Sequence, residues 1–307
     1  RPEALSAPYK EGPSAEKRAV MIGIILYAAC SSTLLVINKV SLHLVPSPSF
    51  VLFCQFATSS LAVRAVKYKF PDMDIEFLEW DKAKGFILAT GVFWLCLFSN
   101  TEALKDVNVE TVIVVRSCSP LAVAALDHVA LNKDLPSLRG LQALGVIVLG
   151  AVIYVATDAG FQVKGYTWLS VYFVSIVTEM VFVKFIVDTV PMSTWTRVYY
   201  NNTLSLPMAI VAAFLSGETD LLAIDWSLAG LAAVAMSCVV GVAISYAGFN
   251  LRKLISATSF TVVGVVCKVI TVLINDMIWT KHANVMGHLS LLLCIAAGFI
   301  YEKVKNK

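Results

Sequence analysis

The sequence predicts an all-α integral membrane protein with ten transmembrane helices, and three observations lead to this fold class. Hydrophobic residues make up 58% of the 307 residues and charged residues only 15%, with a mean hydropathy of +0.77. A soluble domain is closer to half apolar and about one quarter charged. The apolar residues form runs of about 20, the length that crosses the hydrocarbon core. Short connections with Pro, Gly or charge separate these runs. This composition excludes a disordered chain, a small disulfide scaffold and an ordinary cytosolic enzyme.

The apolar runs place the ten spans along the chain in two equal halves. They cover roughly residues 19–41, 47–68, 82–103, 109–131, 137–157, 165–187, 193–216, 226–249, 256–279 and 285–302. The first five spans form a predicted unit over residues 19–157, and the last five form a second over residues 165–302. Residues 1–18 are polar and contain three prolines, which predicts a disordered tail. Residues 303–307 form a short tail at the other terminus.

The distribution of Lys and Arg predicts the orientation, because cytosolic loops carry an excess of these residues. An even number of spans puts both termini on one side of the membrane. That side then holds most of the basic residues, whereas the other side holds only Lys39, Lys105, Lys164 and Lys281. Both termini are therefore expected in the cytosol.

Two segments suggest an internal repeat. Residues 111–154 and 258–301 align without gaps, and each consists of an apolar span, a short polar loop and a second span that ends in an aromatic residue. Because five is an odd number, five-helix copies have opposite topologies in the membrane. Inverted repeats are typical of transporters that alternate access around a central site.

Ionisable residues inside the predicted spans are candidate functional groups, because a charge in the hydrocarbon core is costly. They are Arg64, Arg116, Asp127, Glu179, Arg197, Lys268 and Asp276. Arg116 and Lys268 in one cavity would suit a polyanion such as a diphosphate. The alternative is that Arg116 pairs with a carboxylate such as Glu179, or that these side chains extend to an interface.

Other polar patterns are less specific. Asn201 and Asn202 are adjacent in a predicted span, where carboxamides could bind the edge of a nucleobase or join two helices. The seven cysteines lie in apolar stretches without metal-ligand spacing, so we expect packing roles, no metal and no cofactor. The net charge of +3 gives no indication of nucleic acid.

The segment from Tyr199 to Pro207 resembles the FYNN motif of Golgi GDP-mannose transporters, which are nucleotide-sugar transporters of the drug/metabolite transporter superfamily. The segment from Ser256 to Lys268 resembles the stretch that ends in the GALNK motif of the same family. Further similarities cover most of the predicted spans. They are Tyr27, Asn38 and Lys39 in the first span, Arg116 and Asp127 in the fourth, and Ile244, Ser245 and Tyr246 in the eighth.

The resemblance implies a drug/metabolite transporter fold and an antiporter of the Golgi membrane that exchanges a GDP-sugar for GMP. Asn201 and Asn202 would then bind the guanine edge, with Tyr199 or Tyr200 packed nearby. Gly264 would allow backbone to approach the ligand, and Lys268 would face the phosphates or the sugar. Tyr27, Lys39, Arg116 and Ser245 would belong to the same substrate site.

Two positions depart from the family motifs. The asparagine that precedes the motif lysine is Cys267 here, and cysteine is a weak hydrogen-bond partner. The motif tyrosine four residues before Gly264 is Phe260, which keeps the ring and loses the hydroxyl. The sugar therefore stays open among GDP-mannose, GDP-fucose, GDP-galactose and GDP-arabinose.

Three other functions remain alternatives on the sequence. A UDP-sugar or sugar-phosphate antiporter of the same fold is the nearest. A membrane-embedded transferase is more distant, because no HExxH, P-loop or GxSxG motif is present. A structural membrane protein is also more distant, because it would not need Arg116 and Lys268 inside predicted spans. We therefore expect a transporter and no enzyme. The lipid bilayer is its expected surrounding, and a homodimer is left open.

Overall fold

A computed structural model describes residues 13–107, 109–156, 162–218, 224, 226–264, 267 and 289. Every regular element within these residues is an α-helix. The helices are α1 (Pro13–Leu44), α2 (Pro48–Lys69), α3 (Trp80–Asp106), α4 (Val109–Ser117), α5 (Ser119–Leu131), α6 (Leu138–Ala156), α7 (Val163–Thr189), α8 (Thr194–Ser216) and α9 (Leu228–Leu254). A further helical segment covers residues 257–264.

Six helices in the described part of the chain are long and apolar enough to cross a membrane, namely α1, α2, α3, α7, α8 and α9. Two shorter apolar helices, Ser119–Leu131 and Leu138–Val152, accompany them. The all-α membrane class predicted from composition is therefore confirmed. Most of the ninth predicted span and nearly all of the tenth lie outside the described residues.

The first helix corrects one predicted boundary. The part that the structure describes begins at Pro13, so residues 13–18 are helical and do not belong to a disordered tail. Glu16 lies in the first turn, where a negative charge interacts favourably with the helix dipole.

The fourth predicted span, residues 109–131, is interrupted at Cys118, which divides it into α4 and α5. Pro120 has no N–H to donate to the carbonyl oxygen of Arg116, and its ring crowds that carbonyl. The hydroxyl of Ser119 donates to this oxygen instead, at 2.6 Å. A proline therefore sets the backbone of the turn that carries Arg116.

The helices of the two predicted halves pack against each other. α1 packs mainly on α9, α2 on α8, and α3 on α7. In each pair the chain path makes the two helices antiparallel. One apolar cluster surrounds Tyr172 between α3, α4, α5 and α7 and also contains Phe260 and Cys267. A second surrounds Tyr199 and Tyr200 between α3, α7 and α8.

The chain path defines two ends of this bundle. The basic end is the one at which the connections 70–79, 132–137, 190–193 and 255–256 lie, and the opposite end contains the connections 45–47 and 217–227. Contacts hold each end together. At the basic end, the Glu76 amide donates to the Thr196 hydroxyl at 3.1 Å. At the opposite end, a Glu218 carboxylate oxygen accepts from the Ser47 hydroxyl at 3.0 Å and from the Ser49 amide at 2.9 Å.

Candidate functional site

Tyr27, near the middle of α1, is the centre of a cluster of charged and aromatic side chains. Its ring lies 4.9 Å from the ring of Phe260 between centroids. Its ionisable neighbours are Arg252, Cys267, Arg116 and Glu179. Cys267 is buried in the same apolar cluster, against which Tyr27 packs. The structure thus brings together Tyr27, Arg116 and Cys267, which the sequence placed in one site.

Arg116 approaches this cluster from α4. Its Nη1 donates to the Tyr172 hydroxyl at 2.6 Å, and no carboxylate lies within ion-pair distance among the described residues. Glu179, the carboxylate that sequence suggested as its partner, instead accepts a hydrogen bond from Arg252 Nη2 at 3.0 Å. A phenol is a neutral partner, so the positive charge of Arg116 is not compensated by the described side chains.

Arg252 is a member of the cluster that sequence reasoning missed. Its guanidinium carbon lies 4.4 Å from the centroid of the Phe260 ring and 5.9 Å from that of Phe249. Such arrangements favour a cation electrostatically. Arg252 follows the predicted span 226–249, so the sequence indicated it only as one of the basic residues expected near the cytosolic membrane surface. The available signal was its position four residues before Ser256, where the resemblance to the GALNK stretch begins.

Tyr199 and Tyr200 hold the connection between α2 and α3 at the basic end. The Tyr199 hydroxyl accepts a hydrogen bond from Arg64 Nη2 at 2.8 Å, and its ring meets Phe77 edge-on at 5.3 Å. The Tyr200 hydroxyl donates to the Phe77 carbonyl oxygen at 2.9 Å and accepts from the Glu79 amide at 2.7 Å. Both tyrosines are buried, and both have structural partners in this conformation.

Asn202 and Ser245 are neighbours on α8 and α9. Asn202 Nδ2 donates to the Val198 carbonyl oxygen at 2.8 Å and lies 3.5 Å from the Ser245 hydroxyl. Asn201 is half-buried, and its main-chain carbonyl oxygen accepts from the Ser205 hydroxyl at 2.7 Å. The two asparagines therefore differ, since the carboxamide of Asn202 is engaged within α8.

A cavity of about 440 Å³ lies between α2, α3, α7 and α8 in the half of the bundle nearer the opposite end. Most of its lining is apolar, and Glu102 and Glu218 lie near its outer rim. Ser205 and Met208 of α8 contribute to the wall. At 3.6 residues per turn, Asn201 shares their face one turn deeper. The cavity thus leads towards the first asparagine of the motif, whereas the Tyr27 cluster does not line it.

Of three further residues predicted for the site, the structure describes only a part. A methyl group built on Gly264 would meet no atom of the described residues within 4 Å, so open space adjoins this backbone within the described part of the chain. Lys39 lies in α1, but its side chain is outside the described part of the chain. Lys268 is also outside the described residues.

A second charged cluster, at the basic end, joins α5, α7 and α9. Lys184 Nζ lies 2.7 Å from Asp188 Oδ1 and donates to the Arg252 carbonyl oxygen at 2.7 Å. Lys133 Nζ lies 3.8 Å from Asp188 and 3.7 Å from Asp127. These contacts fasten both predicted halves together next to Arg252.

Comparisons with known proteins identify the family. The model of the EamA-like transporter family matches residues 18–156. The chain is 43% identical over 288 residues to GDP-fucose transporter 1 of Arabidopsis thaliana. The aligned region covers 91% of this chain and 84% of that protein. The chain belongs to the nucleotide-sugar transporter family. It is also 35% identical over 289 residues to GDP-mannose transporter GONST3 of the same plant, covering 90% of this chain and 76% of that protein.

Membership of the nucleotide-sugar transporter family confirms the resemblance inferred from Tyr199 to Pro207, and it confirms a transporter that is not an enzyme. A solved crystal structure superposes with a TM-score of 0.68 at 13% identity, covering 95% of this chain and 99% of that chain. That likeness shows a shared fold. Together with its long apolar helices, the family identifies this chain as a multi-pass membrane protein.

Proposed function

We propose that this nucleotide-sugar transporter imports a GDP-sugar into the Golgi lumen and returns GMP to the cytosol by alternating access. The two relatives described above are named for GDP-fucose and GDP-mannose, which supports a guanine nucleotide. GDP-fucose is the first sugar nucleotide to test, since the relative with the higher identity bears that name. GDP-mannose and GDP-galactose follow.

The observation that carries this proposal is the charge of the Tyr27 cluster. Two arginines, Arg116 and Arg252, and one carboxylate, Glu179, lie within electrostatic range of Tyr27. The ion pair takes one positive charge and leaves the other without a carboxylate. Uncompensated positive charge in an apolar surrounding attracts an anion, and guanidinium groups suit phosphate oxygens in particular. The cluster therefore supports a phosphate-bearing substrate.

Guanine would be bound by Asn201 and Asn202, as the resemblance implies. Asn201 is the better candidate for direct contact, because it lies on the helix face that lines the cavity. Asn202 would orient it from the neighbouring position through its own bonds in α8. Gly264 would offer backbone to the ligand across open space, and Lys268 would add a charge near the phosphates or the sugar.

The packing of the described helices supports two inverted five-helix repeats. If each span of the first half corresponds to the span five later, α1 corresponds to α7, α2 to α8 and α3 to α9. The packing of α1 on α9 is then the counterpart of α7 on α3, and the packing of α2 on α8 is its own counterpart. These are the three most extensive contacts in the bundle. A two-fold relation between oppositely oriented halves has this pattern.

The basic end is proposed to face the cytosol with both termini, following the excess of Lys and Arg there. The 440 Å³ cavity would then face the lumen, and the contacts of Tyr199, Tyr200 and Lys184 would close the cytosolic side. Exchange requires only that the empty carrier reorients more slowly than the loaded one.

Counterflow into proteoliposomes tests this function. Vesicles preloaded with GMP should take up a GDP-sugar much faster than vesicles that are empty or preloaded with UMP. The panel should contain GDP-fucose, GDP-mannose, GDP-galactose, two UDP-sugars and a sugar phosphate. Uptake of UDP-sugars or sugar phosphates alone would contradict the proposal. Equal uptake by loaded and empty vesicles would contradict the exchange mechanism.

A further inference from the structure

We infer that Arg252 binds the diphosphate of the substrate and that the diphosphate displaces Glu179 from it. This inference rests on the proposed function, because it requires a nucleotide with phosphate charge. It assigns a substrate contact to the end of α9, which the motifs do not identify.

The hydrogen bonding of Arg252 leaves room for a ligand. Its Nη2 donates to Glu179 Oε1 at 3.0 Å and lies 3.7 Å from Met180 Sδ, although a guanidinium offers five N–H donors in a planar fork. Its Nε is buried and has no acceptor in the described structure. A buried donor without an acceptor is unfavourable. An oxygen-rich anion would satisfy it, whereas the single contact with Glu179 does not.

The surroundings of Arg252 also favour an anion. The guanidinium carbon lies 4.4 Å from the centroid of the Phe260 ring and 5.9 Å from that of Phe249, and the Arg252 side chain is only 14% exposed. Tyr27 packs on Phe260, and Arg116 approaches Tyr27 from α4. Arginines from the two predicted halves thus lie within electrostatic range of one tyrosine. Two positive charges so arranged match the two negative charges of a diphosphate ester.

Glu179 is the competitor in this arrangement. A carboxylate carries one negative charge and forms one hydrogen bond with Arg252 here, whereas a diphosphate offers several oxygens and a second charge. Binding would therefore replace the ion pair, the direct side-chain link between Glu179 of α7 and Arg252 of α9. Lys184 of α7 would keep its bond to the Arg252 carbonyl oxygen. The end of α9 would therefore stay attached to α7 while the Arg252 side chain moved. Ligand binding would thus loosen one contact at the basic end.

Two neutral variants separate this role from a structural ion pair. Arg252→Gln should weaken GDP binding by about tenfold or more, because a charged phosphate contact is lost. Glu179→Gln should leave GDP binding unchanged or tighten it several-fold, because the competitor loses its charge. A structural pair predicts that both variants weaken binding alike. Lys253→Gln is the matched control, since Lys253 is exposed on the same turn and its loss should change nothing.

The dissociation constants should be measured by ligand-induced thermal stabilisation of the purified transporter. The ligands are guanosine, GMP and GDP, and the corresponding uridine, UMP and UDP. Arg252→Gln should reduce the preference for nucleotide over nucleoside and leave nucleoside binding within about twofold. Arg252→Lys, which keeps the charge and loses the fork, should lie between wild type and Arg252→Gln.

An equal loss for nucleoside and nucleotide in Arg252→Gln, or weaker GDP binding in Glu179→Gln, would overturn the inference. Preference for uridine nucleotides over guanosine nucleotides would overturn the proposed function alone, because the effect of phosphate charge at Arg252 would still be read from the uridine series.

Discussion

The hydroxyl of Tyr200 donates a hydrogen bond to the carbonyl oxygen of Phe77 at a distance of 2.9 Å. The same hydroxyl accepts one from the amide of Glu79, so a single side chain satisfies two backbone groups of the connection between α2 and α3. Tyr200 directly precedes the two asparagines of the motif. A movement of α8 that repositions these asparagines must therefore move this connection or break its bonds.

Tyr200→Phe should loosen the connection without disturbing the core. The ring still packs on Phe86, 5.5 Å away between centroids, but two backbone groups lose their partner, which costs about 1–3 kcal/mol. We expect a lower unfolding temperature and faster proteolysis between residues 70 and 79. Tyr68→Phe is the control, because Tyr68 is 91% exposed. Equal behaviour of the two variants would show that the Tyr200 hydroxyl is dispensable.

Asn201→Ala and Asn202→Ala should differ in what they lose. Asn202 is 2% exposed and its amide donates within α8, so its removal should lower the free energy of unfolding by about 1–2 kcal/mol. Asn201→Ala should leave stability within about 0.5 kcal/mol and reduce GDP-sugar counterflow strongly. Thermal unfolding and counterflow on the same preparations separate these effects. Normal counterflow by Asn201→Ala would remove this residue from the guanine site.

Arg116→Gln should reduce transport by about tenfold or more, because a charge near the phosphates is lost. Tyr172→Phe removes the 2.6 Å hydrogen bond to Arg116 and keeps the charge, so we expect a loss within about threefold. Initial counterflow rates over a range of substrate concentrations provide the comparison. If the two variants lost activity equally, Arg116 would act through its contact with Tyr172 and not through its charge.

Gly264→Ala should show whether the space beside this glycine is occupied by the substrate during transport. The added methyl meets no atom of the described residues within 4 Å, and alanine in a helix is favoured over glycine by about 0.5–1 kcal/mol. Stability should therefore hold or rise, while transport falls because the methyl occupies space used by the ligand. Gly145→Ala in α6 is the matched control, since its methyl also meets no atom within 4 Å among the residues that the structure describes. The same transport rate in both variants would place the substrate elsewhere.

The helix ends were predictable where local chemistry marks them. Ser193 and Ser227 accept hydrogen bonds from Thr196 and Gly230 at the N-termini of α8 and α9, and both helices begin within two residues of the predicted spans. The break at Cys118 was missed because hydropathy does not register Pro120, although a proline within a span is a known signal for a break or kink.

The site was predictable only as far as motifs extend. Tyr27, Asn202 and Ser245 come from short stretches that resemble a family. Arg252 could not be recognised in this way, because its role depends on the position of Phe260 and Glu179 around it. Phe260 and Glu179 lie on different helical segments from Arg252, and their distances from it are set by tertiary packing. The same limit applies to the partner of Glu179, for which the sequence suggested Arg116 and the tertiary packing provides Arg252.

The pairing of α1 with α9, α2 with α8 and α3 with α7 has a consequence for biogenesis. The first three helices leave the ribosome well before the helices that cover them, so they must wait in the membrane as an incomplete bundle. Gln55 of α2 donates to Asn38 of α1 at 2.8 Å and packs beside Gly241 of α9, a neighbour that it lacks during that interval. We therefore expect the nascent N-terminal half to depend on membrane chaperones until α9 has been inserted.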